Sequence, residues 1–68
     1  MNESEKLKML LNHWMEHNNE HAAIYKDWAE KASAFGNEGL SETLGRLYHE
    51  SKKLNLLFEE AIRKIEQG

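Results

Sequence analysis

Three observations predict an all-α fold, an antiparallel two-helix hairpin. The 68 residues contain no proline, apolar residues recur every three or four positions over two long runs, and an interior glycine cluster separates those runs. The first helix is expected over about residues 3–35. Asn2 or Ser4 can cap it, and Glu5, three residues after Asn2, makes a capping box with it. From Leu7 the stripe occupies positions 7, 11, 14, 18, 21, 25, 28, 32 and 35, filled by Leu, Leu, Trp, Asn, His, Tyr, Trp, Ala and Phe. Steps of three and four keep these residues on one side of a helix, with Leu10, His17 and Ile24 widening the stripe on one flank.

Gly36-Asn37-Glu38-Gly39 reads as a C-cap and chain reversal. The second helix is expected over about 40–66, capped by Asn37 or Ser41 and fraying before Gln67. Its stripe runs through 40, 44, 47, 51, 54, 58, 61 and 65 (Leu, Leu, Leu, Ser, Leu, Phe, Ala, Ile), with Tyr48, Leu57 and Ile62 at its flanks. Gly45 is the weak helix former inside it, costing about 1 kcal/mol relative to Ala. Folding at the turn is expected to pair Trp28 with Leu47, Tyr25 with Ser51, His21 with Leu54 and Trp14 with Ala61.

A single domain, residues 1–68, follows from the length, and folding would bury only about 60% of its surface. With no cysteine, no disulfide or thiolate-bound metal can staple it. Two tryptophans, two tyrosines and two phenylalanines overload a lone hairpin, so a homodimer forming a four-helix bundle is expected. Nine Lys and Arg against twelve Asp and Glu, a net charge of −3, argue against a nucleic-acid partner. Apolar runs of two or three residues fall far short of the ~20 a membrane span needs. The polar start Asn2-Glu3-Ser4-Glu5-Lys6 has no export signal, which makes the cytoplasm the expected compartment. A chain this small houses no self-contained catalytic domain, so a non-enzymatic protein is expected.

The histidines carry the chemistry. His13, His17 and His21 stand at i, i+4 and i+8, a gently drifting row on one helix. Two imidazoles four residues apart can chelate a divalent ion, and Glu16 and Glu20 add oxygen donors, Glu20 sharing the side of His17. The stripe places His21 inside the core, His17 at its edge and His13 toward solvent. Asn18, His21 and Ser51 would then form a polar layer in an apolar seam, with Asn55 and Glu59 within reach. The competing reading is a dimerisation or adaptor module whose buried His/Asn layer sets register, or charges and repels below about pH 6.5. His49 falls on the back of the second helix, a solvated position.

Other chemistries find no support. His13-x-x-Glu16-His17 and His17-x-x-Glu20-His21 fit the pattern of inverted zinc peptidases, but a hairpin offers neither a cleft nor a third ligand from another element. No histidine has Glu three residues before it, so the di-iron carboxylate ligand set is missing. The scattered glycines form no phosphate loop.

The segment His13-Trp14-x-x-His17-Asn18-x-Glu20-His21-Ala22, followed by Trp28-Ala29-Glu30-Lys31-Ala32, resembles a small uncharacterised helical-hairpin domain of anaerobic bacteria and archaea. The resemblance covers nearly the whole chain, is specific in the first helix, and points to His13, Trp14, His17, Asn18, His21 and Trp28. Some members carry a His-rich tail suggestive of metal handling, so the resemblance implies an association with metal rather than an activity, although that tail is absent from these residues. The expected ligands are His13, His17, His21 and Glu20, and the expected ion is Zn²⁺, Ni²⁺ or Co²⁺.

Overall fold

A computed structural model describes residues 2–68; Met1, where the expected single-domain span begins, lies outside them. Two helices, α1 (Glu3–Ala34) and α2 (Glu38–Gln67), pack against each other along their length, and the described residues contain no strand. Asn2 opens α1, its side-chain oxygen accepting the Glu5 backbone N–H at 2.8 Å.

Three residues reverse the chain. Gly36 adopts φ +93°, its N–H donates to the Ser33 carbonyl at 3.0 Å, and the Asn37 N–H donates to the Ala32 carbonyl at 2.9 Å. Those two bonds are the Schellman closure of a helix. Asn37 then caps α2, its side chain accepting the Leu40 N–H at 3.0 Å, which starts that helix at Glu38, two residues earlier than expected. Ser41 Oγ donates to the Ala29 carbonyl at 2.7 Å and Ser33 Oγ to Glu38 at 2.7 Å, fastening the turn end.

The seam between the helices is strictly periodic. On α1 the least exposed side chains are Leu11, Met15, Asn18, Ala22, Tyr25, Ala29 and Ala32. On α2 they include Ser41, Leu44, Tyr48, Ser51, Asn55, Phe58, Ile62 and Ile65. Alternating steps of three and four average 3.5 residues, the period that keeps two supercoiled helices in contact.

This seam corrects the expected one. Leu11, Asn18, Tyr25, Ala32 and Leu44, Ser51, Phe58, Ile65 face inward as expected. Trp14 and Trp28 do not: they are 45% and 51% exposed, and Met15, Ala22 and Ala29 take the seam instead. His21 is likewise exposed, not in the core. The physical cause is the size of the side chains. Small residues (Ala22, Ala29, Ala32, Ser41 and Ser51) leave room beside them for Asn18, whose Nδ2 donates to the Ser51 carbonyl at 2.6 Å. The expected pairs Trp28/Leu47, His21/Leu54 and Trp14/Ala61 therefore border the seam rather than fill it.

The hairpin buries little. Only Leu11, Ala22, Ala32 and Ser51 are buried among the described residues, and no large side chain is fully enclosed.

Candidate functional site

The hairpin has two unlike edges. Along one, polar groups tie α1 to α2: Asn55 Nδ2 donates to Asn19 Oδ1 at 2.6 Å, Lys52 Nζ to the same oxygen at 3.3 Å, and Lys26 Nζ lies 5.7 Å from the centre of the Tyr48 ring. Lys8 and Glu66 close the open end at 3.3 Å. The opposite edge carries Leu7, Trp14, His21, Trp28 and Phe35, each seven residues from the next, and from α2 Leu40, Leu47, Leu54 and Ala61 at the same interval. Rows seven apart hold one side of a supercoiled helix, so these two rows lie side by side. All the large members of both rows are more than one-third exposed. Leu10, His17 and Ile24 extend the face outward on α1, and all three are exposed.

The histidine row climbs onto this face. His13 lies farthest from α2, His17 on the outer row of the apolar face, and His21 in the row beside the seam. The rings of His13 and His17 have centroids 4.4 Å apart, and those of His17 and His21 6.5 Å apart. His21 also stacks on Tyr25, with centroids 6.3 Å apart and planes inclined by 23°. No side-chain hydrogen bond or ion pair engages these three histidines, or Glu20, among the described residues.

The expected polar layer of Asn18, His21 and Ser51 forms without its histidine. Asn18 Nδ2 donates to both the Ser51 carbonyl and Asn55 Oδ1, the latter at 3.1 Å, and Asn55 passes the chain on to Asn19. Asn19 belongs to this network although its position lies outside the apolar stripe. The available signal was its column: Asn12, Asn19 and Lys26 stand seven apart and mark the polar edge.

Adjacent rings of the row can share an ion pairwise, with imidazole nitrogens about 2.0–2.1 Å from it. His13 and His21 are eight residues apart, roughly 12 Å along a helix, so one chain cannot bring all three to one ion. In keeping with this, among the described residues no three His, Cys, Asp or Glu side chains group closely enough to hold a metal. Glu20 is exposed and shares the column of His13, facing away from α2.

Fold and site together define a small helical hairpin with an exposed histidine row on an apolar face. Residues 7–65 match the family described as a domain of unknown function, DUF8180, and the chain belongs to that family. Nothing matches it among curated proteins or among solved structures. No helix of the described residues is long and apolar enough to cross a membrane.

Proposed function

We propose that the protein is a non-enzymatic transition-metal-binding module that takes Zn²⁺, Ni²⁺ or Co²⁺ through His17 and His21, with His13 or Glu20 gating the approach to the pair. One observation carries this reading: the imidazoles stand side by side, 4.4 and 6.5 Å apart, exposed and outside the interhelical hydrogen bonds. Register between the helices is held by Asn18, Ser51 and Asn55, so a buried structural histidine layer has no work left to do. Unprotonated imidazole is a good ligand for this group of ions, and the geometry of the site selects among them. Calorimetric titration with each ion tests the proposal. Micromolar or tighter binding that disappears in the His17→Ala/His21→Ala variant supports it; no binding of any of the three ions overturns it.

A second reading is favoured by the exposed Trp14, Trp28, Leu47 and Leu54, which form an apolar face on one side of the hairpin. We infer that a second copy covers this face, giving a four-helix bundle. The molecule extends 51 Å by 17 Å across its broad side, room for the roughly 800 Å² per partner that a stable interface buries. A monomeric mass by light scattering at micromolar concentration, with and without metal, overturns this reading.

A further inference from the structure

Resting on the metal reading above, we propose that the outer end of the histidine row receives its ion as a chelate. His13 and His17 dock a divalent transition metal that is still held by a small carboxylate-bearing molecule. The first support is the bite of this pair. An ion about 2.0–2.1 Å from one nitrogen of each ring lies roughly 3 Å from the ring centres, so two adjacent imidazole ligands have centroids about 4–5 Å apart. His13 and His17 already stand 4.4 Å apart. His17 and His21, at 6.5 Å, must turn to close on an ion, and His21 leaves its place beside Tyr25 to do so. The outer pair is therefore set to receive an ion, and His17, common to both pairs, lets it pass inward.

The second support is the shortage of ligands. Among the described residues no three His, Cys, Asp or Glu side chains group closely enough to hold a metal. Structural zinc sites close around the ion with four protein ligands, and catalytic ones supply three. Two imidazoles displace two waters from the ion and leave its other positions to donors from another molecule. A chelator that fills those positions keeps the ion while the histidines bind it.

The third support is a groove that begins at His13. It has a volume of about 510 Å³ and is lined by Lys6, Met9, Leu10, Asn12, His13 and Glu16, a size that suits a small molecule. Leu10 and Glu16 stand three residues to either side of His13, and Lys6 seven residues before it, so the groove follows α1 from the row toward Asn2. The Lys6 ammonium enters no ion pair or side-chain hydrogen bond among the described residues, which leaves it to a carboxylate of the chelator. Met9 and Leu10 meet the carbon skeleton, and Glu16 accepts from a water or amine on the ion.

Ni²⁺–nitrilotriacetate is the probe, since its ligand carries three carboxylates and leaves two adjacent positions of octahedral Ni²⁺ open. Calorimetric titration of the intact chain with this complex and, separately, with free Ni²⁺ tests the proposal. The expected result is one chelate per chain, with nitrilotriacetate retained in the complex. His13→Ala and His17→Ala should each weaken it at least about tenfold, and Lys6→Gln by about 1.5- to 5-fold, while His21→Ala leaves it unchanged. Free Ni²⁺ should still bind His13→Ala and be lost from His17→Ala. All four residues are exposed, and circular dichroism verifies that each variant stays helical. Chelate binding that survives His13→Ala but not His21→Ala overturns the outer station and leaves the inner pair as the metal site. Nitrilotriacetate that strips Ni²⁺ from the protein, or an affinity indifferent to Lys6→Gln, likewise overturns docking of the chelate in this groove. No binding of the chelate or of free Zn²⁺, Ni²⁺ or Co²⁺ overturns the metal reading itself, and the station with it.

Discussion

Asn18 reaches across the hairpin from α1 to the backbone of α2, its side-chain amide donating to the Ser51 carbonyl at 2.6 Å and to Asn55 at 3.1 Å. This bond sits at the midpoint of both helices and sets which residues of each face the other. Replacing Asn18 by Ala removes two donated bonds from a partly buried site and is expected to cost about 1 kcal/mol. For a domain of this size that lowers the melting midpoint by about 4–8 °C, readable by circular dichroism.

Two glycines should respond to alanine with opposite signs. At Gly45, inside α2, an added Cβ meets nothing within 4 Å, and Gly45→Ala is expected to stabilise by about 0.5–1 kcal/mol through the reduced entropy of the unfolded chain. At Gly36 there is also space, but the backbone is left-handed at φ +93°. Gly36→Ala is therefore expected to destabilise by about 1–2 kcal/mol. Urea unfolding of both variants separates the effects, since neither changes what the surrounding side chains touch.

Asn37 serves both helices. Its backbone N–H closes α1 on Ala32 and its side chain opens α2 on Leu40. Asn37→Ala keeps the first bond and loses the second, with an expected loss of about 0.5–2 kcal/mol. Asn37→Asp should recover most of it, because a carboxylate accepts the same N–H and favours a helix N-terminus. A variant with Ala as stable as the parent would show that the cap carries no weight.

Trp14 and Trp28 should matter for association and not for the hairpin. Both lie about half exposed beside the seam. Trp14→Gln/Trp28→Gln is expected to leave helix content at high dilution unchanged while removing the concentration dependence of the melting midpoint that a dimer shows. Thermal melts across a hundredfold range of protein concentration measure this directly.

Glu66 and Lys8 close the open end of the hairpin, but both side chains are about half exposed. Lys8→Ala is expected to change stability by less than about 1 kcal/mol, and less still in high salt. Chemical denaturation at low and high ionic strength checks it.

Much of this fold is legible in the chain itself. Asn2 and Asn37 announce the helix starts, Gly36 the reversal, and the unbroken three-and-four spacing the two helices. These signals are local: a cap or a left-handed glycine acts within a turn of its own position. The surplus of apolar face is legible too, because the stripe is wider than one neighbouring helix can cover. The i, i+4, i+8 row of imidazoles needs only helical geometry to be foreseen.

Which rows of that stripe meet α2 was decided by the tertiary structure alone. Trp14, His21 and Trp28 and the neighbouring row Met15, Ala22 and Ala29 are both compatible with the spacing. By hydrophobicity the tryptophans have the stronger claim. Packing reversed that order: the row with Met15, Ala22 and Ala29 meets α2, Asn18 bonds the Ser51 carbonyl, and the indoles stand aside. The same rotation carried His21 out of the expected core and onto the open face. Hydrophobic spacing along one helix measures how wide its apolar side is; only contact with the second helix determines which part of that width is used up and which part, histidines included, is left open.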